Sequence, residues 1–303
     1  MSSATANSYR IDEHIKLVYQ KPEVFSKNHV IYFGQKYGNY FFRSSPATLL
    51  EKAQFLDSGY SIIKDNVVIG GVFLKPNFMS DLFVVPPYSD YEYIAKKLLN
   101  LLKEISNSNE KIVVSEVLEA HVPFYSRNGC NVFEEGFWMI RPTQSMRTML
   151  SDNFAAKPVH EEDKDEIAHV ILSAYKGNPA YKEVDSNENY VNHVVEFIKN
   201  NKDNEVMYNS SKIVVDKTVN EIVGTCLHME FEGFPLIMSL AVRPDYQGKG
   251  IGKFLLSHSI NHSKKAYSAT RLYVLKGNEA IKLYEHMGFI KNATLNDMYL
   301  LND

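Results

Sequence analysis

The chain has 303 residues, of which 45% are hydrophobic, 23% charged and 12% aromatic, and its formal net charge is −3. This length predicts two domains of about 150 residues each. The composition is typical of a soluble globular protein and excludes a disordered or collagen-like chain. Because the lysines and arginines are scattered and give no basic excess, we expect no nucleic-acid partner.

The sequence shows no pattern typical of a targeting signal or a membrane span. Residues 1–16 do not combine a charged start with an apolar run, and no later stretch reaches the roughly 18 apolar residues of a membrane span. We therefore expect a cytoplasmic protein with no membrane partner. Cys130 and Cys226 fall in different halves, which predicts two buried thiols and neither a disulfide nor a bound metal.

The N-terminal half contains a clear helix start at Ser45 and Pro46, because proline is tolerated at the first helical position, where its missing N–H has no helical partner to lose. That helix is predicted to continue through Phe55. The further elements predicted in this half are strands at 60–64, 67–74, 81–84 and 112–117 and a helix at 91–105.

The C-terminal half also alternates between helical and strand patterns. Its almost unbroken apolar run at 234–242 predicts a central strand. The resulting element order is mixed α/β. The predicted helices are 159–175, 189–199, 248–265 and 278–286, and the predicted strands are 211–215, 222–231, 234–242, 271–275 and 298–301.

The two halves resemble each other when they are compared without gaps. Residues 81–88 and 239–246, at an offset of 158, each have a predicted strand followed by a proline and a tyrosine at matching positions. Tyr125 to Gly129 aligns with Tyr284 to Gly288 at an offset of 159. A nearly constant offset and a shared element order indicate a duplicated fold. We predict two domains, at 1–145 and 146–303, with a linker near 142–158.

A glycine-containing loop separates the predicted central strand from the next predicted helix. The first N–H groups of a helix have no internal partners, and the helix dipole favours negative charge there, so such a turn is an anion site. Glycines let a diphosphate approach the backbone, and a lysine adds charge at the rim. The loop consists of Gln247, Gly248, Lys249, Gly250, Ile251 and Gly252.

A second pattern follows at 272–289, and together the two patterns resemble a known family. The pattern comprises Leu272, Val274, Asn278, Ala280, Leu283, Tyr284, Gly288 and Phe289. With the loop, it closely resembles the GNAT superfamily of acyl-coenzyme A-dependent N-acetyltransferases, over about 150 residues from near Lys157 onward. This resemblance implies a twisted mixed β-sheet flanked by helices in each of two tandem GNAT-like domains.

The resemblance also implies roles for individual residues. The loop at 247–252 would bind the pyrophosphate of coenzyme A through main-chain N–H groups, while Leu240, Ala241 and Val242 would pair with the pantetheine arm as a missing strand does. Asn278 and Ala280 would lie along that arm, with Tyr284 near the sulfur. The implied co-substrate is acetyl-CoA, and no metal is expected.

Proton transfer needs an acid and a base. A tyrosine with a reference pKa near 10 remains protonated at neutral pH, so Tyr284 is the candidate acid for the leaving thiolate; the alternative is a tyrosine packed between helix and sheet. Many family members use a glutamate on the strand at 234–242, where this chain has Met238, Ser239 and Leu240. On the preceding strand, His228 or Glu230 is the candidate base, unless that face meets solvent or the other domain.

The N-terminal half lacks the loop. Ser89, Glu92 and Ile94 occupy the positions of Gln247, Gly250 and Gly252, and a carboxylate with a β-branched side chain would repel a diphosphate. We therefore expect a degenerate GNAT-like domain without a coenzyme A site.

We predict an N-acetyltransferase, a monomer or homodimer, that acetylates a small-molecule or peptide amine by direct attack in a ternary complex. The alternatives are a coenzyme A-binding sensor or scaffold, a hydroxyl or thiol acceptor, and a longer acyl donor.

Overall fold

The computed structural model describes residues 6–33, 58–181, 184–231 and 233–302. The helix predicted from Ser45 to Phe55 lies outside these residues. The described strands are β1 (Ser8–Arg10), β2 (Ile15–Tyr19), β3 (Gly59–Lys64), β4 (Val67–Lys75), β5 (Phe78–Val84), β6 (Ile112–Leu118), β7 (Asn131–Pro142), β8 (Phe154–Lys157), β9 (Lys212–Asp216), β10 (Glu221–Phe231), β11 (Phe234–Val242), β12 (Ala269–Leu275), β13 (Ile290–Lys291) and β14 (Leu295–Leu300). The described helices are α1 (Pro22–His29), α2 (Tyr91–Ile105), α3 (Val122–Arg127), α4 (Lys164–Lys176), α5 (Asn187–Asn201), α6 (Glu205–Ser210), α7 (Ile251–Ser263) and α8 (Ala280–His286).

The chain divides into two compact units. The first unit comprises Met1–Phe137 with Asn292–Asp303, and the second unit comprises Trp138–Lys291. The domain bounds 1–145 and 146–303 remain a prediction. Residues 292–303 group with the first unit because β14 pairs antiparallel with β6 on one side and with β7 on the other.

The first unit is built on a mixed sheet with the strand order β1-β2-β3-β4-β5-β6-β14-β7, of which β7 contributes residues 131–137. All its neighbouring strands run antiparallel except β5 and β6, which are parallel. Helix α2 was predicted at 91–105 and is confirmed there. Its side chains at Ile94, Leu98 and Leu102 are buried, and this i, i+4 spacing places them on one face of the helix.

The second unit repeats this arrangement in the order β12-β11-β10-β9-β8. Its strands are antiparallel except for β11 and β12, which are parallel. The predicted central strand at 234–242 is confirmed as β11, whereas the predicted helix at 159–175 begins later, as α4 at Lys164, because a short turn of 3₁₀ helix precedes it. The predicted mixed α/β architecture is confirmed.

Strand β11 is irregular in its pairing with both of its neighbours. The register with β12 is a single pair, Leu236 with Arg271. The register with β10 shifts so that Leu227 faces Ser239 while His228 faces Ile237, which leaves Met238 as the extra residue of a bulge. Bulges bend a strand and are common beside active sites. Within the described ranges, no helix is long and apolar enough to cross a membrane.

Candidate functional site

A cavity of about 570 Å³ opens in the second unit beside the part of β11 that follows its single pair with β12. It is bounded by five segments: the end of β11, the loop that leads into α7, strand β12, the start of α8, and the connection between α4 and α5. Of the predicted residues, those that line it are Leu240, Ala241, Val242, Gln247, Gly248, Gly250, Ile251, Gly252, Asn278, Ala280 and Tyr284.

The turn into α7 has the conformation that an anion site needs. Gly248 and Gly250 have φ values of 76° and 81°, a left-handed region that residues with a Cβ rarely adopt. Gly250 is the residue before the first turn of α7, whose N–H groups have no partners inside the helix. The N-terminal end of α7 therefore faces the cavity with unpaired donors and the positive end of the helix dipole.

The start of α7 is held close to the sheet by Ile251, which is 1% exposed. Beneath it, β10 carries Gly224, where an added Cβ would lie 2.8 Å from Cγ2 of Ile251. That distance is too short for a real Cβ contact, so a glycine at 224 lets the first turn of α7 sit directly on β10.

Lys249, the only loop residue that does not line the cavity, is exposed at its rim. Its Nζ lies 4.1 Å from the ring centroid of Tyr246, a cation–π distance. The ammonium group also lowers the pKa values of Asp216 and Asp245, as a minor contribution beside their hydrogen bonds. Lys249 therefore places positive charge beside the loop rather than within it.

Tyr284 lies on α8 and is 7% exposed, at the inner part of the cavity lining. Burial raises the pKa of its hydroxyl well above 10, with smaller contributions from Tyr175 and Cys226 nearby. The hydroxyl therefore stays protonated at neutral pH, while the raised pKa also makes it a weaker acid than an exposed tyrosine. Behind it, the C-terminal end of α8 is capped by Arg141, whose Nη1 donates to the Met287 carbonyl.

Two further tyrosines at the cavity were not predicted. Tyr175 at the end of α4 and Tyr181 in the following loop both line the cavity and stack with ring centroids 4.5 Å apart. Burial raises the pKa of Tyr175, against hydrogen bonds to Ser239 and Tyr181. In a chain with 19 tyrosines these two carry no distinguishing local pattern. Only the packing of the α4–α5 loop against β11 reveals them.

The same loop reaches the predicted coenzyme residue Asn278. Asn178 donates from Nδ2 to Oδ1 of Asn278 at 3.0 Å, and both residues line the cavity. Asn278 is 8% exposed, and its Oδ1 also accepts from the N–H of Ala280, the first residue of α8, at 2.9 Å. No local sequence pattern indicates Asn178, because its hydrogen-bond partner is 100 residues away.

His228 lies in the packed interior and is not among the described residues that line the cavity. Its Nε2 is 2.9 Å from Oγ1 of Thr270, and burial lowers its pKa to about 3. An imidazole with this pKa is neutral at pH 7 and holds a transferred proton poorly. The base role of His228 remains a prediction, and this environment disfavours it.

Glu230 is exposed and likewise absent from the described lining. Its Oε2 accepts from the Tyr267 hydroxyl and from Nδ2 of Asn204 at 3.3 Å. A base role for Glu230 therefore needs an intervening water and also remains a prediction. Within the described ranges, no group of three or more His, Cys, Asp and Glu side chains is arranged to hold a metal ion.

Comparison with known proteins agrees with this geometry. Residues 208–291 match the family model described as an acetyltransferase (GNAT) domain. The [ribosomal protein bS18]-alanine N-acetyltransferases of Escherichia coli K12 and Shigella flexneri are each 38% identical over 65 residues, 21% of this chain and 43% of each relative. The chain thus spans less than half the length of the curated relatives it matches.

Two solved structures match almost the whole chain. A GCN5-related N-acetyltransferase from Sphaerobacter thermophilus has a TM-score of 0.71 at 14% identity, over 97% of both chains. A tandem GNAT protein from the clavulanic acid biosynthesis pathway has a TM-score of 0.60 at 10% identity, over 95% of this chain and 99% of that one.

The family match and the fold together define the class: the second unit carries the match to the GNAT acetyltransferase domain, and the chain as a whole has the fold of GNAT acyltransferases. More particularly, its likeness over nearly its whole length to a tandem GNAT protein shows that it has the fold of the tandem type.

Proposed function

We propose that the second unit is an N-acetyltransferase that transfers the acetyl group of acetyl-CoA to a primary amine. One observation carries this proposal: a donor-rich helix start, the open edge of β11 and a protonated Tyr284 meet in a single cavity. No other described feature of the chain brings an anion site and a proton donor together in this way.

The main-chain N–H groups at Gly248 to Gly252 bind the pyrophosphate in this proposal. They combine unpaired donors with the positive end of the α7 dipole, and the exposed Lys249 adds charge nearby. The side of β11 after Leu236 is not paired with β12. Leu240 to Val242 can therefore pair with an extended pantetheine arm as another strand would.

The chemistry is direct transfer between two bound substrates. The amine attacks the thioester carbonyl carbon, a C–N bond forms and the C–S bond breaks. The sulfur takes a proton from the Tyr284 hydroxyl, and the proton released by the nitrogen passes through solvent to the resulting Tyr284 phenolate, so that the tyrosine is regenerated and no net proton is gained or lost. The bulge at Met238 turns backbone out of regular pairing at the cavity, where a main-chain N–H can stabilise the negative charge that develops on the carbonyl oxygen.

The acceptor we favour is an α-amino group. The matched relatives are named for acetylating an alanine of a ribosomal protein. An α-amine with a reference pKa near 8 is roughly one-tenth neutral at pH 7, whereas a lysine-type amine near 10.4 is neutral in only about one molecule in 2,500. An α-amine therefore needs less help from a base, which suits a cavity that neither His228 nor Glu230 lines.

Calorimetry with acetyl-CoA, followed by a thiol-release screen of amines, tests the proposal. We expect saturable binding and faster thiol release with peptide N-termini and amino acids than with polyamines or aminoglycosides. A calorimetric trace without saturable binding would contradict the coenzyme site itself. Faster release with polyamines would contradict only the α-amine assignment.

The second candidate is a coenzyme A-binding sensor or scaffold, favoured by the position of both candidate bases outside the cavity lining. It predicts tight coenzyme A binding with no thiol release above background for any acceptor in the screen. Running hydroxyl and thiol acceptors and a longer acyl-CoA in the same screen distinguishes the remaining alternatives. The predicted cytoplasmic location and monomeric or homodimeric state remain predictions.

A further inference from the structure

A side-chain hydrogen bond joins the loop between α4 and α5 to the coenzyme side of the cavity, from Asn178 Nδ2 to Asn278 Oδ1 at 3.0 Å. On the loop, Asn178, Pro179 and Tyr181 line the cavity; on the other side, Asn278 does. The bond therefore joins two walls of the same cavity, one facing the proposed coenzyme arm and one facing the space left for the acceptor.

The direction of this bond is fixed by the backbone. Asn178 Oδ1 accepts from the Ala180 N–H at 3.0 Å, and Asn278 Oδ1 accepts from the Ala280 N–H at 2.9 Å. A backbone N–H can only donate, so each of these contacts identifies an amide oxygen rather than an amide nitrogen. Nδ2 of Asn178 therefore donates to Oδ1 of Asn278. The Nδ2 group of Asn278 points away from Asn178 Nδ2 and from the Ala280 N–H, the two donors to its oxygen.

This arrangement orients Asn278 for the coenzyme. With its oxygen occupied by Asn178 and Ala280, Asn278 offers its Nδ2 donors, which match an amide carbonyl such as those of the pantetheine arm. Without the Asn178 amide, the Asn278 side chain loses one of the two contacts that define its orientation.

The loop itself is one hydrogen-bonded turn. The Asn178 N–H donates to the Tyr175 carbonyl at 3.0 Å, and the Tyr181 N–H donates to the Asn178 carbonyl at 3.1 Å. Tyr181 also stacks on Tyr175 with ring centroids 4.5 Å apart. Because Tyr181 is hydrogen-bonded to Asn178, an interaction that fixes the position of Asn178 also fixes that of Tyr181, an aromatic side chain on the acceptor side.

On the basis of the proposed function, we propose that Asn178 is a positioning residue that couples the acceptor loop, residues 177–181, to the coenzyme arm through Asn278. Coenzyme A that engages Asn278 stabilises the loop, and by thermodynamic reciprocity an ordered loop tightens coenzyme A binding.

Hydrogen–deuterium exchange with coenzyme A as the probe tests this coupling without a known acceptor. In the unmodified protein we expect coenzyme A to slow exchange both at 247–252 and at the Ala180 and Tyr181 amides. No slowing at either place would contradict the proposed function. Slowing at 247–252 without slowing at 180–181 would contradict the coupling alone.

Two variants separate coupling from simple loop structure. Asn178→Asp keeps the oxygen that accepts from Ala180 but replaces the donor toward Asn278 with an acceptor. We expect it to abolish the slowing at 180–181 and to weaken coenzyme A binding by about fivefold, the value of one neutral hydrogen bond. Asn178→Ala should do the same. If Asn178→Asp matched the unmodified protein in both measurements, the side chain would serve only the turn and the inference would be overturned.

A matched control lies in the next helix. Asn189 is an exposed asparagine whose Nδ2 donates to Asp185 at 3.3 Å, outside the cavity lining. Asn189→Ala removes a similar side-chain bond without touching Asn278. We expect the coenzyme A affinity and the exchange at 180–181 to remain those of the unmodified protein; an effect equal to that of Asn178→Ala would count against a specific role for Asn178.

Discussion

The two units use the same position in their folds differently. In the second unit Tyr284 lines an open cavity, whereas its counterpart Tyr125 in the first unit is fully buried and its hydroxyl lies 3.2 Å from that of Tyr91. Tyr91 begins α2 and also stacks on His121 at 3.7 Å. Side chains of the chain itself therefore occupy the surroundings of Tyr125, where the second unit leaves room for a ligand.

The parallel strand pairs and the helices that follow them also differ between the two units. Strands β5 and β6 pair at three positions, whereas β11 and β12 pair at one, so β5 stays paired with its parallel neighbour over a longer stretch than β11 does. In the first turn of α2, Glu92 supplies a negative charge of the chain's own. At α7 that place is left for an anion. That the first unit has no coenzyme A site remains a prediction, and on this comparison it rests on side chains that fill the position and not on missing strands.

The largest expected effect comes from removing the hydroxyl of Tyr284. We expect Tyr284→Phe to lower kcat by about 10²- to 10⁴-fold, the usual contribution of a general acid, with little change in coenzyme A affinity. The matched variant Tyr125→Phe, measured in the same thiol-release assay, should keep full turnover. Equal turnover in both variants would remove the functional distinction between the two tyrosines.

The loop glycine provides the next largest effect. Gly250 has φ 81°, which costs about 1–2 kcal/mol for a residue with a Cβ and more for a β-branched one. Gly250→Val should therefore weaken acetyl-CoA binding at least about tenfold. Acetylpantetheine, which lacks the diphosphate, should show an unchanged KM. An equal loss for both donors would mean that the valine distorts the whole cleft instead of the anion site.

Acid sensitivity is expected in the second unit. The pKa of His228 falls from 6.5 to about 3 on folding because burial disfavours the charged ring. The unfolded chain therefore binds a proton that the folded chain does not, and stability is lost as the pH falls below about 6.5 toward 3. At pH 5 the loss from this one group is about 2 kcal/mol.

This prediction can be measured by urea unfolding at pH 7 and pH 5. Trp138 is the single tryptophan of the chain, and its fluorescence reports on the second unit. His228→Asn removes the titrating ring, so the difference in unfolding free energy between the two pH values should shrink by about 2 kcal/mol. An unchanged difference would show that His228 titrates normally in the folded protein.

The smallest expected effect tests whether filling alone prevents ligand binding in the first unit. Tyr91→Ala should lower the unfolding free energy by about 1–2 kcal/mol through the lost stacking and hydrogen bond. It should not create a coenzyme A site, because Glu92 and Ile94 remain at the start of α2. Calorimetry of the double variant with Gly250→Val checks this; renewed tight binding would mean that Tyr91 is the sole obstacle.

The sequence predicted the parts of the site that depend on local pattern. The apolar run of β11, the glycine loop and Asn278 to Tyr284 occupy neighbouring positions in the chain, so their spacing carries the information. Each of them lies at the cavity. The N–H donors of α7 follow from the loop's place between a strand and a helix.

The rest depends on pairing between distant segments. The face of His228 was inferred from regular alternation along β10, whereas the bulge at Met238 and the packing of Thr270 determine its surroundings. Likewise, the bond between Asn178 and Asn278 joins residues that no local pattern connects. Such features follow from tertiary packing and become visible only in the folded chain.

The position of β14 has a consequence for the order of folding during synthesis. This strand, Leu295–Leu300, lies between β6 and β7 in the sheet of the first unit, and its Asp297 accepts from Ser115 at 2.6 Å. The sheet of the first unit therefore cannot be completed until the ribosome has added β14, which follows the entire second unit in the sequence. Although domains usually fold in the order of their synthesis, here the unit that starts first is expected to finish last.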